Sequence, residues 1–589
     1  MSGTTTGERG GRPMVMGTRE AVTSGHYLAT QIGMDVLGRG GNAMDASAAA
    51  GFALTVLKPQ QNGIGGEVPM VVYSAREAKV WAVSGHGTAP RAATLERFRG
   101  LGLEMIPGDG LLGATVPPAP ASWIALIARF GTMRLAEVLG PAVELAERGF
   151  PMYDHLAGMI AANAERFRQE WPTSARLWLA GGKAPEPGTV FRNRDWARTF
   201  KKLIEAEGRH KDRREGLRAA HDVFYRGEVG RALVEFARLT EVRDASGRAH
   251  AGLLTMEDLA GYEARFEEPV STEYRGLTVH KCGPWTQGPV LLQMLNLIEG
   301  YDLAEMGHNS AEYIHTVVEC MKLALADREF YYGDPEFVEV PMGRLLSKEY
   351  AGERRRLVGE RASMELRPGG REAIRAESVM EVNRAFAEGA GGGTGGDTTK
   401  LEVIDREGNM VSATPSGGWL MSSPVVEGLG FPLGTRGQMF SLEAGHPNCV
   451  APGKRPRTTL TPSLATRGGR GVMAFGSPGG DGQDQWALQF LVNVVDFGMS
   501  LQEAVEAATF WTYHAPSSFY PRRAEPGVVH VEGRIGEAAR RGLEERGHIV
   551  KVEGDWSGGN TLAAAIDEKT GVRSAAASPR LEPGYAEAR

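Results

Sequence analysis

The stretch EGAGGGTGGDTTKLEVIDREGNMVSAT (Glu388–Thr414) decides the fold of this chain. It begins with a glycine-rich run, residues 388–397, which favours no regular structure and is typical of a surface segment. The residues after Thr398 alternate as two strands joined at Glu407–Gly408–Asn409, and this pattern predicts a β-hairpin. Thr398 therefore stands where a flexible segment enters a strand.

This position suggests a chemical use for Thr398. A threonine hydroxyl is a poor nucleophile without a base nearby. A cut between Asp397 and Thr398 would give the threonine a free α-amino group, whose ordinary pKa of about 8 suits it to accept the hydroxyl proton. The alternative that the residues leave open is a glycine linker entering a strand in which threonine is merely a good strand former.

Working toward the N-terminus, the segment from His26 to Leu57 predicts two helices broken at Gly38–Gly41, because small and apolar residues recur every three or four positions. A glycine-rich turn, NGIGGE (Asn62–Glu67), follows. Two alternating segments, Pro69–Ser74 and Lys79–Ser84, then predict strands. The many alanines and glycines of the helical segment indicate that its backbone packs closely against neighbouring elements.

Residues 120–330 are mainly helical by pattern, with one strand expected at Glu273–Pro284. Strands and helices on both sides of Thr398 predict a layered α+β fold. The polar, glycine-rich residues 1–17 are expected to form a flexible tail. The rest of the chain divides into residues 18–397, which end in the glycine-rich processing linker, and residues 398–589, which carry the nucleophile.

The composition limits the partners. The chain has 589 residues, 42% apolar and 23% charged, with a net charge of −6. It has no basic block, so we expect neither a nucleic-acid nor a membrane partner, whereas a small charged substrate is compatible with this balance.

The cysteines and histidines suggest no further chemistry. Three separated cysteines form neither a disulfide framework nor a zinc cluster, and the histidines show no metal-binding spacing, so no metal or cofactor is expected. The N-terminus has no apolar secretion segment, and no run of about 18 apolar residues occurs, so we expect a cytoplasmic protein.

Several motifs, in this order and spacing, resemble those of γ-glutamyltransferases, which are N-terminal-nucleophile hydrolases. The resemblance runs from about Gly17 to about His514. The motifs include LATQIGMDVLGRGGNAMDASAAAGFAL, NGIGGE, GTMRLAEVLGPAVELAERGF, YRGLTVHKCGPWTQGP, ALADREFYYGDPEFVEVP, DTTKLEVIDREGNMVSAT, APGKRPRTTLTPS and GSPGG.

The resemblance implies a four-layer αββα sandwich formed jointly by the two halves of a cleaved precursor. It implies self-cleavage after Asp397 and attack by Thr398 on the carbonyl of a small amide, giving an acyl-enzyme that water or an amine acceptor releases. The two fragments of the chain would stay together as a heterodimer.

The same resemblance assigns further residues. Thr414 and Ser416 match hydroxyl residues that support the nucleophile, and the N–H groups of Gly479 and Gly480 match an oxyanion hole. Thr458 and Thr459 stand where the family often has a serine pair that binds the carboxylate of the substrate.

The chain also departs from the family pattern. His86 stands where an arginine usually pairs with the substrate carboxylate, and a neutral imidazole cannot make that bidentate contact. Gly418 replaces an asparagine of the substrate site, and Lys400 replaces a histidine. The usual asparagine-and-acid run is replaced by PLGTRGQMFSL (Pro432–Leu442), in which Arg436 is a candidate for a displaced cation.

Three functions remain open from the sequence. The first is hydrolysis or transfer of γ-glutamyl or related groups. The second is an acylase or amidohydrolase acting on non-glutamyl amides, of the β-lactam side-chain or oxamate type. The third is a non-processing binding protein.

Overall fold

The computed structural model describes residues 11–374, 398–580 and 583–589. The strands, numbered along the chain, are β1 Val15–Gly17, β2 Ala21–Ser24, β3 Met70–Ser74, β4 Lys79–Val83, β5 Phe150–Pro151, β6 Val190–Phe191, β7 Val242–Arg243, β8 Ala249–His250, β9 Phe266–Glu267, β10 Val270–Tyr274, β11 Leu277–Lys281, β12 Leu401–Ile404, β13 Met410–Ala413, β14 Ser463–Arg467, β15 Arg470–Gly476, β16 Phe510–Trp511, β17 Val528–Glu532, β18 Ile549–Glu553, β19 Leu562–Ile566, β20 Arg573–Ala577 and β21 Tyr585–Ala588.

The α-helices are α1 Tyr27–Gly38, α2 Ala43–Leu57, α3 Leu95–Gly100, α4 Ala119–Phe130, α5 Leu135–Arg148, α6 Asp154–Ala162, α7 Ala164–Gln169, α8 Pro172–Trp178, α9 Arg194–Gly208, α10 Arg213–Tyr225, α11 Glu228–Leu239, α12 Met256–Ala260, α13 Pro289–Ile298, α14 Leu303–Met306, α15 Ala311–Tyr331, α16 Met342–Leu345, α17 Lys348–Arg355, α18 Gln483–Val495, α19 Leu501–Glu506 and α20 Glu537–Glu545. Short 3₁₀ helices cover Ala180–Gly182, Arg436–Met439 and Gly480–Gly482.

Two seven-stranded sheets form the centre of the fold. The first sheet has the order β1-β20-β19-β15-β14-β11-β10, and the second has the order β21-β2-β12-β13-β3-β4-β9. Each sheet contains strands from both sides of Thr398. In the second sheet the hairpin β12–β13 lies between β2 and β3, so residues after Thr398 pair on both sides with residues before it.

Helices cover the outer faces of the two sheets. The inner faces contact each other through a small apolar cluster that includes Tyr73, Met410, Leu464 and Ala564. The outer face of the second sheet packs against α1, α2 and the helices between α4 and α11. The outer face of the first sheet packs against α13, α15 and α18. The expected α+β sandwich with the layer order αββα is therefore observed.

The two N-terminal helices form where the sequence predicts them, and their small residues allow a close approach. The side chain of Asn42 caps α2 by accepting from the N–H groups of Met44 and Asp45. At Gly51, in the middle of α2, an added Cβ would lie 2.1 Å from the ring of Trp123. The alanine- and glycine-rich sequence is thus required for packing in this layer.

Two expectations about local structure are wrong. Residues 15–17 of the expected tail form β1, which pairs with β20, and Glu506 accepts hydrogen bonds from the N–H groups of Gly11 and Arg12. The single strand expected at Glu273–Pro284 is instead part of the hairpin β10–β11, which turns at residues 275–276. The turn consists of only Arg275 and Gly276, both with positive φ angles, and so short a turn allows the segment to be interpreted as one strand.

Other expectations fall outside the described residues. The glycine-rich linker 388–397, including Asp397, and residues 1–10 of the tail belong to these segments. In the part of the chain that the structure does describe, no helix is both long and apolar enough to cross a lipid bilayer.

The sheet topology predicts that the two fragments 1–397 and 398–589 will stay together after cleavage. Separating them would break the hydrogen-bond ladders on both sides of the β12–β13 hairpin and expose the apolar inner faces. We expect one peak on native size-exclusion chromatography that resolves into two bands on a denaturing gel. Elution of the cleaved fragments as separate, folded species would contradict this topology.

Candidate active site

Thr398 lies at the junction that the sequence predicts, immediately before β12. It is fully buried and pairs with Ser416 as an antiparallel bridge that extends the β12–β13 ladder. The Oγ1 atom of Thr398 is 3.2 Å from the Oγ atom of Ser416. On its other side the strand is fixed by the N–H of Gly25, which donates to the carbonyl of Lys400. The backbone of Thr398 is therefore held by neighbours from both portions of the chain.

Ser416 is in turn bound by a buried ion pair. The Nη2 atom of Arg436 donates to Ser416 Oγ at 2.9 Å and to Glu67 Oε2 at 2.9 Å. Glu67 and Ser416 also exchange backbone hydrogen bonds of 2.7 and 3.0 Å. Burial raises the pKa of Glu67, and the positive charge of Arg436 opposes this rise. A hydrogen bond from a cation makes the Ser416 hydroxyl a better donor. The series of hydrogen bonds from Arg436 through Ser416 can therefore stabilise negative charge on Thr398 Oγ1.

The NGIGGE turn (Asn62–Glu67) holds the loop that follows Ser416. Gly63 donates to the carbonyl of Gly417 at 2.8 Å. Gly418 has a positive φ of 57°, and an added Cβ there would lie 2.7 Å from the backbone nitrogen of Gly66. This contact gives Gly418 a structural reason to be glycine, independent of any role with substrate.

Gly479 and Gly480 form a turn with left-handed backbone conformations. Their φ angles are 116° and 54°, which side chains rarely adopt. An added Cβ at Gly479 would also lie 2.5 Å from the ring of Trp486. Among the described residues neither glycine N–H donates a hydrogen bond. The geometry is that of two adjacent backbone donors available to an anion.

Side chains from the N-terminal portion hold this turn. The carboxylate of Asp481 pairs with Arg328 and accepts from the N–H of Ser518 at 2.9 Å. The Nε2 atom of Gln287 donates to the carbonyl of Gly480 at 3.4 Å, while its Oε1 accepts from Arg328 at 2.8 Å. The donors therefore depend on residues on both sides of the cleavage position.

Two contacts connect the glycine turn with the nucleophile. The guanidinium carbon of Arg436 is 5.7 Å from the ring centre of Phe519, and the same ring lies 3.2 Å from where a Cβ on Gly480 would stand. Gly476, three residues before Gly479, borders the side chain of Lys400, two residues after Thr398. The structure thus brings the predicted nucleophile, its supporting serine and the glycine pair into one region.

The remaining hydroxyl residues are buried with different surroundings. Thr414 donates its N–H to Pro69, and its Oγ1 has no hydrogen-bond partner among the described residues. The carbonyl of Thr458 accepts from the N–H of Gln287 at 2.8 Å, which ties it to the glycine turn. The Oγ1 atom of Thr459 also has no partner in the described part of the chain. Thr414 Oγ1 makes no hydrogen bond to the described atoms of Thr398, so its supporting role stays a prediction.

His86 is buried and neutral. Its Nε2 atom is 2.6 Å from the carbonyl of Pro456 and must carry the proton, because a carbonyl only accepts. Burial, and after it the nearby charge of Arg436, lower the pKa of His86 to about 3. The ring stacks on Trp285 with centroids 5.9 Å apart. His86 therefore provides no cation for a substrate carboxylate.

Sequence reasoning missed Glu67, Asp481 and Arg328, whose partners lie more than 150 residues away in the chain. The only available signal was that Glu67 and Arg328 lie inside motifs shared with the family and that Asp481 directly follows one.

A second cluster, His315, Glu319 and His548, has atoms close enough to hold a metal ion. However, Lys322 and Arg367 already pair with Glu319, and the two imidazoles hydrogen-bond each other at 2.8 Å. These contacts favour a structural role.

The site and the fold together define an enzyme of the N-terminal-nucleophile hydrolase type. Residues 29–588 match the model of the gamma-glutamyltranspeptidase family, and the chain belongs to this family.

The relatives differ in their substrates. The chain is 36% identical over 547 residues to the acylase ACY 1 proenzyme of Pseudomonas sp. (strain SE83), covering 91% of this chain and 88% of the relative. It is 31% identical over 570 residues to the glutathione hydrolase-like YwrD proenzyme of Bacillus subtilis (strain 168), covering 96% of this chain and 98% of the relative. The crystal structure of cephalosporin acylase from Bacillus halodurans superposes with a TM-score of 0.84 and 31% sequence identity, covering 100% of this chain and 99% of the acylase chain.

The buried pair Arg436–Glu67 makes a prediction about stability. Arg436→Met leaves an uncompensated carboxylate in the core and should cost about 3–5 kcal/mol in the free energy of unfolding. The double variant Arg436→Met/Glu67→Met removes both charges and should recover most of this loss. Urea unfolding gives the free energy of unfolding of the wild type, the single variant and the double variant. Equal destabilisation of the single and double variants would show that the loss does not come from an unpaired charge.

Proposed function

We propose that this protein is a self-processing amidohydrolase that cuts its own chain after Asp397 and uses Thr398 as the nucleophile. The observation that carries the proposal is the 3.2 Å contact between the hydroxyl groups of Thr398 and Ser416, immediately before β12. The proenzyme names of the acylase and glutathione hydrolase-like relatives support processing.

The chemistry follows from the arrangement. The free α-amine of Thr398 accepts the hydroxyl proton while Oγ1 attacks the amide carbonyl. The N–H groups of Gly479 and Gly480 stabilise the oxyanion, a contribution worth about 3 kcal/mol for one donor. The C–N bond then breaks, the leaving amine takes the proton, and an ester on Thr398 remains. Water or an amine acceptor attacks the ester and regenerates the threonine.

The charges around the site favour an acyl group without a carboxylate. Arg436 is already neutralised by Glu67, and both side chains are almost fully buried. His86 is neutral, and Arg455 pairs with Asp334 and Glu267. A substrate carboxylate beside Arg436 would add a second negative charge to a buried pair, which costs free energy. We therefore favour an acylase or amidohydrolase over a γ-glutamyl enzyme.

One observation supports the γ-glutamyl alternative. The Oγ1 atom of Thr459 is buried without a partner among the described residues, and the family resemblance implies a carboxylate-binding role for this position. A hydroxyl donor alone gives a weaker carboxylate site than an arginine fork. This alternative therefore needs the Thr458–Thr459 pair to replace the missing guanidinium contact.

The first prediction concerns processing. Pure protein should show fragments 1–397 and 398–589 on a denaturing gel, and N-terminal sequencing of the smaller one should begin at Thr398. Thr398→Ala should remain a single band, because it lacks the attacking oxygen. Thr399→Ala is the matched control and should still be cleaved. A wild-type chain that stays intact on long incubation would support a non-processing binding protein instead.

The second prediction concerns the acyl group. The γ-glutamyl and glutaryl p-nitroanilides share a five-carbon acyl chain, and the butyryl compound is the glutaryl compound without its carboxylate. We expect kcat/KM for the butyryl compound to exceed that for the glutaryl and γ-glutamyl compounds by about 10–100-fold, because it brings no carboxylate into the site. Release of p-nitroaniline measures all three. The reverse order would assign the protein to γ-glutamyl chemistry.

A further inference from the structure

Two buried ion pairs lie close to the proposed nucleophile Thr398 and to the Gly479–Gly480 turn, but neither pair contacts the Thr398 hydroxyl or the two glycine N–H groups. In the first, Lys400 Nζ is 2.6 Å from Glu402 Oε1, and both side chains are fully buried. In the second, Lys281 Nζ is 3.1 Å from Asp484 Oδ1, and again both side chains are buried. The mechanism above assigns no task to any of these four residues.

The first pair lies between the two sheets. Lys400, Glu402 and Ile404 alternate along β12 and so point to the same face, and Ile404 belongs to the apolar cluster between the sheets. Burial raises the pKa of Glu402 to about 7 and lowers the pKa of Lys400. A buried ion pair is often no more stabilising than apolar side chains of the same size. Stability alone therefore does not explain why charges occupy this layer.

The contacts of Lys400 are directional and local to the nucleophile. Besides binding Glu402, its Nζ donates to Ser412 Oγ at 2.7 Å and to the carbonyl of Ala413 at 3.3 Å. These two hydrogen bonds and the ion pair with Glu402 thus join the start of β12 to the end of β13. The Cε atom of Lys400 lies 2.4 Å from where a Cβ on Gly476 would stand. Lys400 consequently rests directly against the strand that leads into the glycine turn.

The second pair continues this connection to the helix behind the turn. Asp484 is the second residue of α18, which follows the 3₁₀ helix Gly480–Gly482. Lys281 Nζ donates to Ser463 Oγ at 2.8 Å, and the N–H of Ser463 donates to Ser412 Oγ at 3.1 Å. Ser412 and Ser463 therefore link the two ion pairs into one network. Lys281 comes from the portion before the cleavage position, and the other members come from the portion after it.

We infer that this network positions the Thr398 strand relative to the glycine turn that carries the oxyanion donors. Lys400 and Glu402 are its main positioning residues, and neither takes part in bond making. The inference rests on the proposed function for its catalytic consequence. Displacement of reacting groups by about 1 Å can lower a rate by about 100-fold, so a small loss of alignment would be visible in kcat.

The test compares two buried lysines with similar ion pairs. Lys322 on α15 is buried and lies 2.7 Å from Glu319, but it has no contact with this network. Lys400→Met and Lys322→Met should both lower Tm, because the first leaves Glu402 without its partner and the second removes one of the two cations that pair with Glu319. Only Lys400→Met should lower kcat, on the order of 10–100-fold, with KM little changed. The double variant Lys400→Met/Glu402→Leu should regain Tm but keep the low kcat.

A second measurement does not depend on turnover. Hydrogen–deuterium exchange of residues 476–482 should be faster in the double variant than in the wild type and unchanged in Lys322→Met. Wild-type kcat and wild-type exchange in the double variant would overturn the inference. If the wild-type protein neither self-cleaves nor hydrolyses any anilide, the proposed function fails, and the exchange data still decide whether the network holds the turn.

Discussion

The fold depends on the antiparallel pairing of the β12–β13 hairpin with β2 on one side and β3 on the other. This pairing places the residues after Thr398 at the centre of a sheet whose flanking strands come from the other half of the chain. Thr398 is then aligned with Ser416 by the same ladder. A backbone cut just before Thr398 would remove none of these hydrogen bonds, because the ladder begins at that residue. Cleavage and structural integrity are therefore compatible.

The charges near Thr398 are arranged in closed pairs. Arg436 binds Glu67, Arg328 binds Asp481, and Lys400 binds Glu402, and each pair is buried. Buried pairs of this kind fix the geometry of the groups they hold more than they add stability. Because each of these pairs is internally neutral, it offers little charge to a substrate. The same physical feature thus supports both proposals, the fixed position of Thr398 and the preference for acyl groups that carry no carboxylate.

Much of this could be predicted from the sequence. The hairpin after Thr398 and the helices on either side of Gly38–Gly41 follow from short-range patterns of alternation and small residues. The interest of Gly479 and Gly480 came only from the family resemblance. The ion pairs could not be predicted, because Glu67 and Arg436 are separated by 369 positions and no local pattern connects them. Arg436 was only a candidate for a displaced cation that binds a substrate carboxylate. The structure instead gives it an internal partner, and only the packed chain could reveal this. The β1 strand was missed because its glycine-rich surroundings resemble a tail.

The central claim is that Thr398 forms a covalent ester with the acyl group of the substrate. Acid-quenching the processed protein during turnover of an acyl p-nitroanilide, followed by peptide mass mapping, tests this claim directly. The account predicts that the acyl mass appears on the peptide that begins with Thr398 and is removed by hydroxylamine. An acyl mass on any other residue, or continued turnover by Thr398→Ala, would contradict it.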